Sequence, residues 1–115
     1  MINKERWTKA MNGVLSRSLF LGLPKHSELC SSIVSMIIDE YTYYEMIRDN
    51  AEVSVLSKQW VQYWSSIQNY NRELAKYLDR FGDKEHGERI IERHIKKLRT
   101  TDLLGYGKSF DELVY

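Results

Sequence analysis

The sequence predicts an all-α protein, a helical bundle of about four helices organised on a long aromatic-rich helical hairpin. Three observations lead there. Reading every seventh residue gives Leu56, Tyr63, Tyr70 and Tyr77 in one row and Trp60, Ile67, Leu74 and Phe81 in the other, an unbroken a/d pattern on a single helix. One proline and six glycines leave little to interrupt helices. Between residues 28 and 48, apolar side chains step along a helical face broad enough to belong at the centre of a bundle.

The chain is expected to form one domain, with a basic N-terminal helix and turn over 1–27, the hairpin over 28–82, and a basic helix and tail over 83–115. In the first part Trp7, Met11, Val14 or Leu15, and Leu19 fall at helical spacing, predicting a helix over 3–20. Gly13 weakens it by about 1 kcal/mol relative to alanine. Gly22 and Pro24 end it, the first as a left-handed cap and the second by forcing Leu23 to extended geometry.

Ser27 is the expected N-cap of the second helix, with Glu28 placed where the helix dipole favours an acid. Leu29, Ile33, Ile37, Tyr41, Tyr44 and Ile47 form its apolar face, and Asp39-Glu40 is assigned to its solvent side. Asp49-Asn50-Ala51-Glu52 forms the turn. The long helix then starts at Ser54 or Ser57 and runs for about 38 Å at 1.5 Å per residue. Its polar positions, including Gln59, Gln62, Ser66 and Glu73, are expected to meet water. Gly82 follows Phe81 as a C-cap, Asp83 caps the next helix, and Ile90, Ile91, Ile95 and Leu98 line the apolar side of residues 84–99. Gly87 softens its first turn. Residues 100–109 form a turn or loop, and Phe110 to Tyr115 dock as a last short piece.

Composition narrows the function classes. A hydrophobic fraction of 43% with 29% charged residues belongs to a globular chain rather than a disordered tail. Apolar runs are too short to span a membrane, and the first residues lack the apolar run of a signal peptide, so an intracellular, cytoplasmic location is expected, the cytoplasm of a virus-infected host included. The lone cysteine, Cys30, excludes an internal disulfide and a cysteine-rich zinc module. A net charge of +1 is not that of a uniformly basic DNA-coating protein, so any contact with nucleic acid must come from a local patch.

Two patches qualify. Arg89, Arg93, Lys96 and Lys97 recur at i, i+4, i+7 and i+8 and share one helical face, with Arg99 and His94 nearby. Lys4, Arg6 and Lys9, with Arg17 and Lys25, make the N-terminal segment basic as well. The competing explanation for the first patch is a solvated helix with internal Glu-to-Arg pairs, since Glu88 and Glu92 intrude. The aromatic set Trp60, Tyr63, Trp64, Ile67, Tyr70, Leu74, Tyr77 and Phe81 is assigned to core or subunit interface. Base stacking by Tyr63, Trp64 and Tyr70 would not require a period of seven.

Other chemistry finds little support. Gly107-Lys108-Ser109 resembles the end of a phosphate loop, but Asp102 stands where the first glycine belongs and no strand precedes it. His26 and Cys30 lack the further ligands zinc needs, and His86 and His94 do not form a His-Glu-x-x-His motif. No nucleophile and base are paired beside a glycine-rich loop. The expectation is therefore a noncatalytic protein without metal or cofactor.

The hairpin from Asp39-Glu40-Tyr41 to Phe81-Gly82 resembles phage small terminase subunits, through Tyr41, Tyr44 and Ile47 on the first arm and Ile67, Leu74, Leu78 and Phe81-Gly82 on the second. It departs from them in the connection Asn50-Ala51-Glu52, which lacks glycine, and in Asp83-Lys84, where Thr-Pro often follows. The resemblance implies a small helical homo-oligomer that recognises viral double-stranded DNA and presents it to a motor subunit. The expected function is thus an oligomeric DNA-binding or phage DNA-packaging accessory protein. The alternative is a helical interaction module, adaptor or inhibitor, that binds a larger protein partner and no nucleic acid.

Overall fold

A computed structural model describes residues 4–14, 27–102, 107–109 and 111–112. Four helices follow in order: α1 (Lys4–Val14), α2 (Ser27–Arg48), α3 (Val53–Phe81) and α4 (Lys84–Thr100). The expected all-α bundle is what forms, and the described residues contain no strand. The expected continuation of α1 to residue 20 and the turn at Gly22 and Pro24 lie outside the described residues, as do the side chains of Lys4, Met11, Val14, Ser27 and Phe81.

The hairpin bend follows from one residue. The N–H of Asn50 donates to Ile47 O at 3.1 Å and that of Ala51 to Met46 O at 3.0 Å, while Asn50 adopts φ 55°. This is a Schellman ending of α2, with asparagine tolerating the left-handed backbone usually given to glycine. Gly82 closes α3 in the same region at φ 73°, its N–H bonding Leu78 O. Asp83 then starts α4 by accepting from the His86 N–H at 3.0 Å. No side chain caps the start of α3, where the Glu52 carbonyl instead takes the N–H groups of Val55 and Leu56.

The core lies around α2, whose Leu29, Ile33, Val34, Ile37, Ile38 and Tyr41 are buried on several sides. Trp7 of α1 covers Tyr41 with ring centroids 5.3 Å apart. Tyr77 of α3 and Ile91 and Leu98 of α4 close the core from the other side. The 29 residues of α3 reach about 43 Å, which accounts for the 44 Å long axis of the molecule. Its C-terminal half packs against α2 and α4 (Tyr70, Leu74, Tyr77 and Leu78). Among the described residues its N-terminal half runs beside the end of α2.

Two sequence expectations are corrected here. Asp39 and Glu40 do not face solvent, being only 3% and 9% exposed. Asp39 is turned toward α3, where it accepts from Gln62 Nε2 at 2.8 Å and from the Ser66 hydroxyl. Glu40 instead meets Arg99 of α4. The supposed water face of α3 is likewise partly a seam with α2. Glu73 is buried, Gln59 and Ser66 are half-buried, and Asn69 Nδ2 donates to Ser32 Oγ at 2.8 Å. A helix facing a partner through 62, 66, 69 and 73 presents its a/d rows at the edge of that contact rather than at its centre.

Candidate functional site

Two surfaces stand out, a basic face on α4 and an aromatic tip on the hairpin. In α4 the core side is set by Gly87, Ile91 and Leu98. At 3.6 residues per turn, Arg89, Arg93, Lys96 and Lys97 span about 100° on the opposite side, and all four are exposed. Only Arg89 has an acidic partner among the described ion pairs, Glu85 at 3.9 Å, and both side chains of that pair are open to water. Such a pair is worth little and would yield to a phosphate. His94 lies toward the core edge, and burial, with Lys97 and Arg93 beside it, holds its imidazole below the usual histidine range.

Arg99 is placed differently from its basic neighbours. Its guanidinium is 3.3 Å from Glu40 Oε1 on α2 and, through Nε, 2.9 Å from Asp111 Oδ1. It therefore ties α4 to α2 and to the segment after the bundle, and is not open to a phosphate. On α1, Arg6 and Lys9 are exposed while Trp7 turns inward. The side chain of Lys4 lies outside the described residues.

The hairpin tip collects the aromatic rings that the core leaves over. Tyr43 of α2 stacks on Tyr63 at 5.9 Å and 8° between planes, and meets Trp60 at 5.6 Å. Trp60 in turn stacks on Trp64 at 6.2 Å. These contacts fix the rings, yet Trp60 and Trp64 remain about half exposed, beside Val61 at 63% and Val53 at 79%. Of the heptad rows only Trp60 is exposed among the described side chains, and Val53, Val61 and Trp64 lie beside the rows rather than on them. Tyr63, Ile67, Tyr70 and Leu74 are half-buried and Tyr77 is buried, whereas Phe81 falls outside the described side chains. The extent of this exposed patch escaped sequence reading because most of it lies off the rows that the period of seven marks.

The remaining candidates resolve locally. Gly107, at φ 75°, donates its N–H to Asp102 Oδ2 at 2.8 Å, and the N–H of Glu112 points to Ser109 Oγ at 3.4 Å while Ser109 reaches back to the Glu112 carboxylate. That reciprocal pair is a capping box, so Ser109 starts the turn of helix at Asp111 and Glu112. Cys30 is half-buried and burial pushes its thiol up, away from the reactive thiolate. Among the described residues no three His, Cys, Asp or Glu side chains converge as metal ligands, and no helix is long and apolar enough to cross a membrane. Comparison of the chain with known protein families, with curated proteins and with solved structures finds no match.

Proposed function

We propose that this protein is a noncatalytic, oligomeric DNA-binding protein that meets phosphates through α4, with DNA packaging, as the resemblance to small terminase subunits implies, as its setting. The observation that supports this reading is the face formed by Arg89, Arg93, Lys96 and Lys97, four exposed cations opposite the buried side of one helix. Cations spaced along one helical face can follow a phosphate backbone, and each contact releases condensed counterions. Arg6 and Lys9 on α1 are a second exposed basic pair. Arg99 is left out because Glu40 and Asp111 occupy it.

Binding of a labelled duplex, followed by fluorescence anisotropy over a salt series, tests the reading. Three or four phosphate contacts give a slope of about −3 in log affinity against log salt. Replacing Arg93, Lys96 and Lys97 together by alanine is expected to abolish most of that slope while helix content stays unchanged. The interaction-module reading is supported by the half-exposed Trp60 and Trp64. It predicts no retention of duplex even at low salt, and that result would replace the first reading.

A further inference from the structure

We propose that the outward face of α3 is an isologous interface, on which a second copy of this chain packs with its α3 antiparallel and the twofold axis beside Trp64. This deepens the oligomeric part of the reading above by naming the partner and the contact. It is read without nucleic acid, so either can fail alone.

The face consists of Val53, Ser57, Trp60, Val61, Trp64, Gln68, Asn71 and Ala75, all exposed and successive along one stripe of α3. None of the eight carries a charge. The only charged residue between Val53 and Asn71 is Lys58, about 100° or more around the helix from the centre of the stripe. A twofold contact brings each patch against its own copy, so a charge within it would meet the same charge. A neutral stripe flanked by Lys58, Arg72 and Lys76 satisfies that condition. Nucleic acid, in contrast, would be expected to demand cations here.

Area points the same way. On the stripe itself the two indoles with Val53 and Val61 leave on the order of 400 Å² of apolar surface in water. That is about half of the roughly 800 Å² per partner of a standard interface. Trp60 and Trp64 are already stacked on one another and Trp60 is braced by Tyr43, which reduces the side-chain freedom to be lost on association.

Size along the stripe selects the direction. The apolar residues Val53, Trp60 and Val61 lie toward its start, interrupted by Ser57, and the polar or small Gln68, Asn71 and Ala75 toward its end. With the axis at Trp64, Val53 faces Ala75, Ser57 faces Asn71 and Trp60 faces Gln68. Beside Ala75 a depression of about 300 Å³, floored by Leu74 and Leu78 and rimmed by the charged Asp79, Lys84 and Glu88, lies opposite the incoming valine. The antiparallel pairing sets only Trp64 on its own copy, at the axis, whereas a parallel pairing would set both Trp60 and Trp64 on their copies and alanine on alanine, crowding one end and leaving gaps at the other. Antiparallel helices also oppose their dipoles favourably.

Sedimentation velocity on the full chain at micromolar concentration, without DNA, is expected to show a dimer, and Trp64→Asp a monomer with unchanged helical circular dichroism. In a Cys30→Ala background, the double variant Ser57→Cys/Asn71→Cys should oxidise to a covalent dimer. Neither single variant should, because equivalent positions lie about 21 Å apart along the axis. A wild-type monomer at all concentrations, or a dimer indifferent to Trp64→Asp, overturns the interface. Cross-linking by Ser57→Cys alone overturns its antiparallel direction.

Discussion

Asp39 shows what a single residue decides and what a sequence can hide. Its carboxylate is buried at 3% exposure between α2 and α3 and holds Gln62 Nε2 and the Ser66 hydroxyl. A hydrogen bond to a charged group contributes more than a neutral one, and truncating the acceptor strands donors that have partly left water. Asp39→Ala is therefore expected to lower stability by about 2 kcal/mol. Urea denaturation should show it as a shift in midpoint at constant slope, and an unchanged midpoint would place no weight on these bonds. Replacing Asp39, Gln62 and Ser66 together by apolar residues of similar size should recover most of the loss, since a satisfied polar cluster and a packed apolar one can be nearly equivalent. The sequence shows Asp39-Glu40 only as two acids among apolar neighbours, and nothing in the spacing says that glutamine and serine from a distant helix will meet them. Gly87 is similar. Its softness as a helix residue is legible, but its use is close approach, because an added Cβ would come within 2.6 Å of Leu78 Cδ2.

At the scale of the element, helix ends were the most legible features, except the start of α3, which falls at Val53 and uses neither Ser54 nor Ser57 as a cap. Asn50, Gly82 and Asp83 do what their side chains favour locally, so the turns fall where the sequence puts them. Which way a helix faces was harder to read. The a/d rows of α3 are real, yet the polar residues beside them serve the α2 seam, and only the third dimension separates a water-facing serine from Ser66. The basic residues of α4 divide in the same way. Arg93, Lys96 and Lys97 lie open, whereas Arg99, two residues further on, locks α4 to Glu40 and Asp111. Burial raises the Glu40 carboxyl above its ordinary value, with Arg99 opposing that shift. Arg99→Met removes the opposing charge and leaves a carboxylate in a largely dry place, which is expected to cost about 2 kcal/mol at neutral pH. A carboxyl whose folded value is raised favours the native state at acid pH and weakens it as the pH climbs through that value. The penalty of Arg99→Met should therefore shrink on acidification, as Glu40 takes a proton. Denaturant midpoints of the variant and the parent at neutral and mildly acid pH test this, and a penalty independent of pH would assign the loss to packing instead.

For the whole molecule, the bundle was legible because few breakers and strong periodicity leave one fold class, while the surfaces were legible only as candidates. The core brings three tyrosines from two helices under a common constraint. Tyr41 lies beneath Trp7, and Tyr70 and Tyr77 belong to or border the same cluster. Burial raises all three phenols, with Glu45 adding to the shift at Tyr41 and Glu92 and Glu88 adding to it at Tyr70, which is pushed up to about 12. An unfolded chain loses these protons near the ordinary phenol value of about 10, so over the interval between the two values the folded state holds protons that the unfolded state has shed. Stability is then complete below about 10 and declines as the pH rises through about 12. Tyr70→Phe removes one of these titrations and keeps the ring. Its stability at neutral pH should remain within about 1 kcal/mol of the parent, but its decline between about pH 10 and about pH 12 should be shallower. Urea midpoints across that interval decide the matter. Parallel curves for parent and variant would mean that Tyr70 ionises freely in the folded bundle, and that the contact between α3 and α4 is wetter than its packing implies.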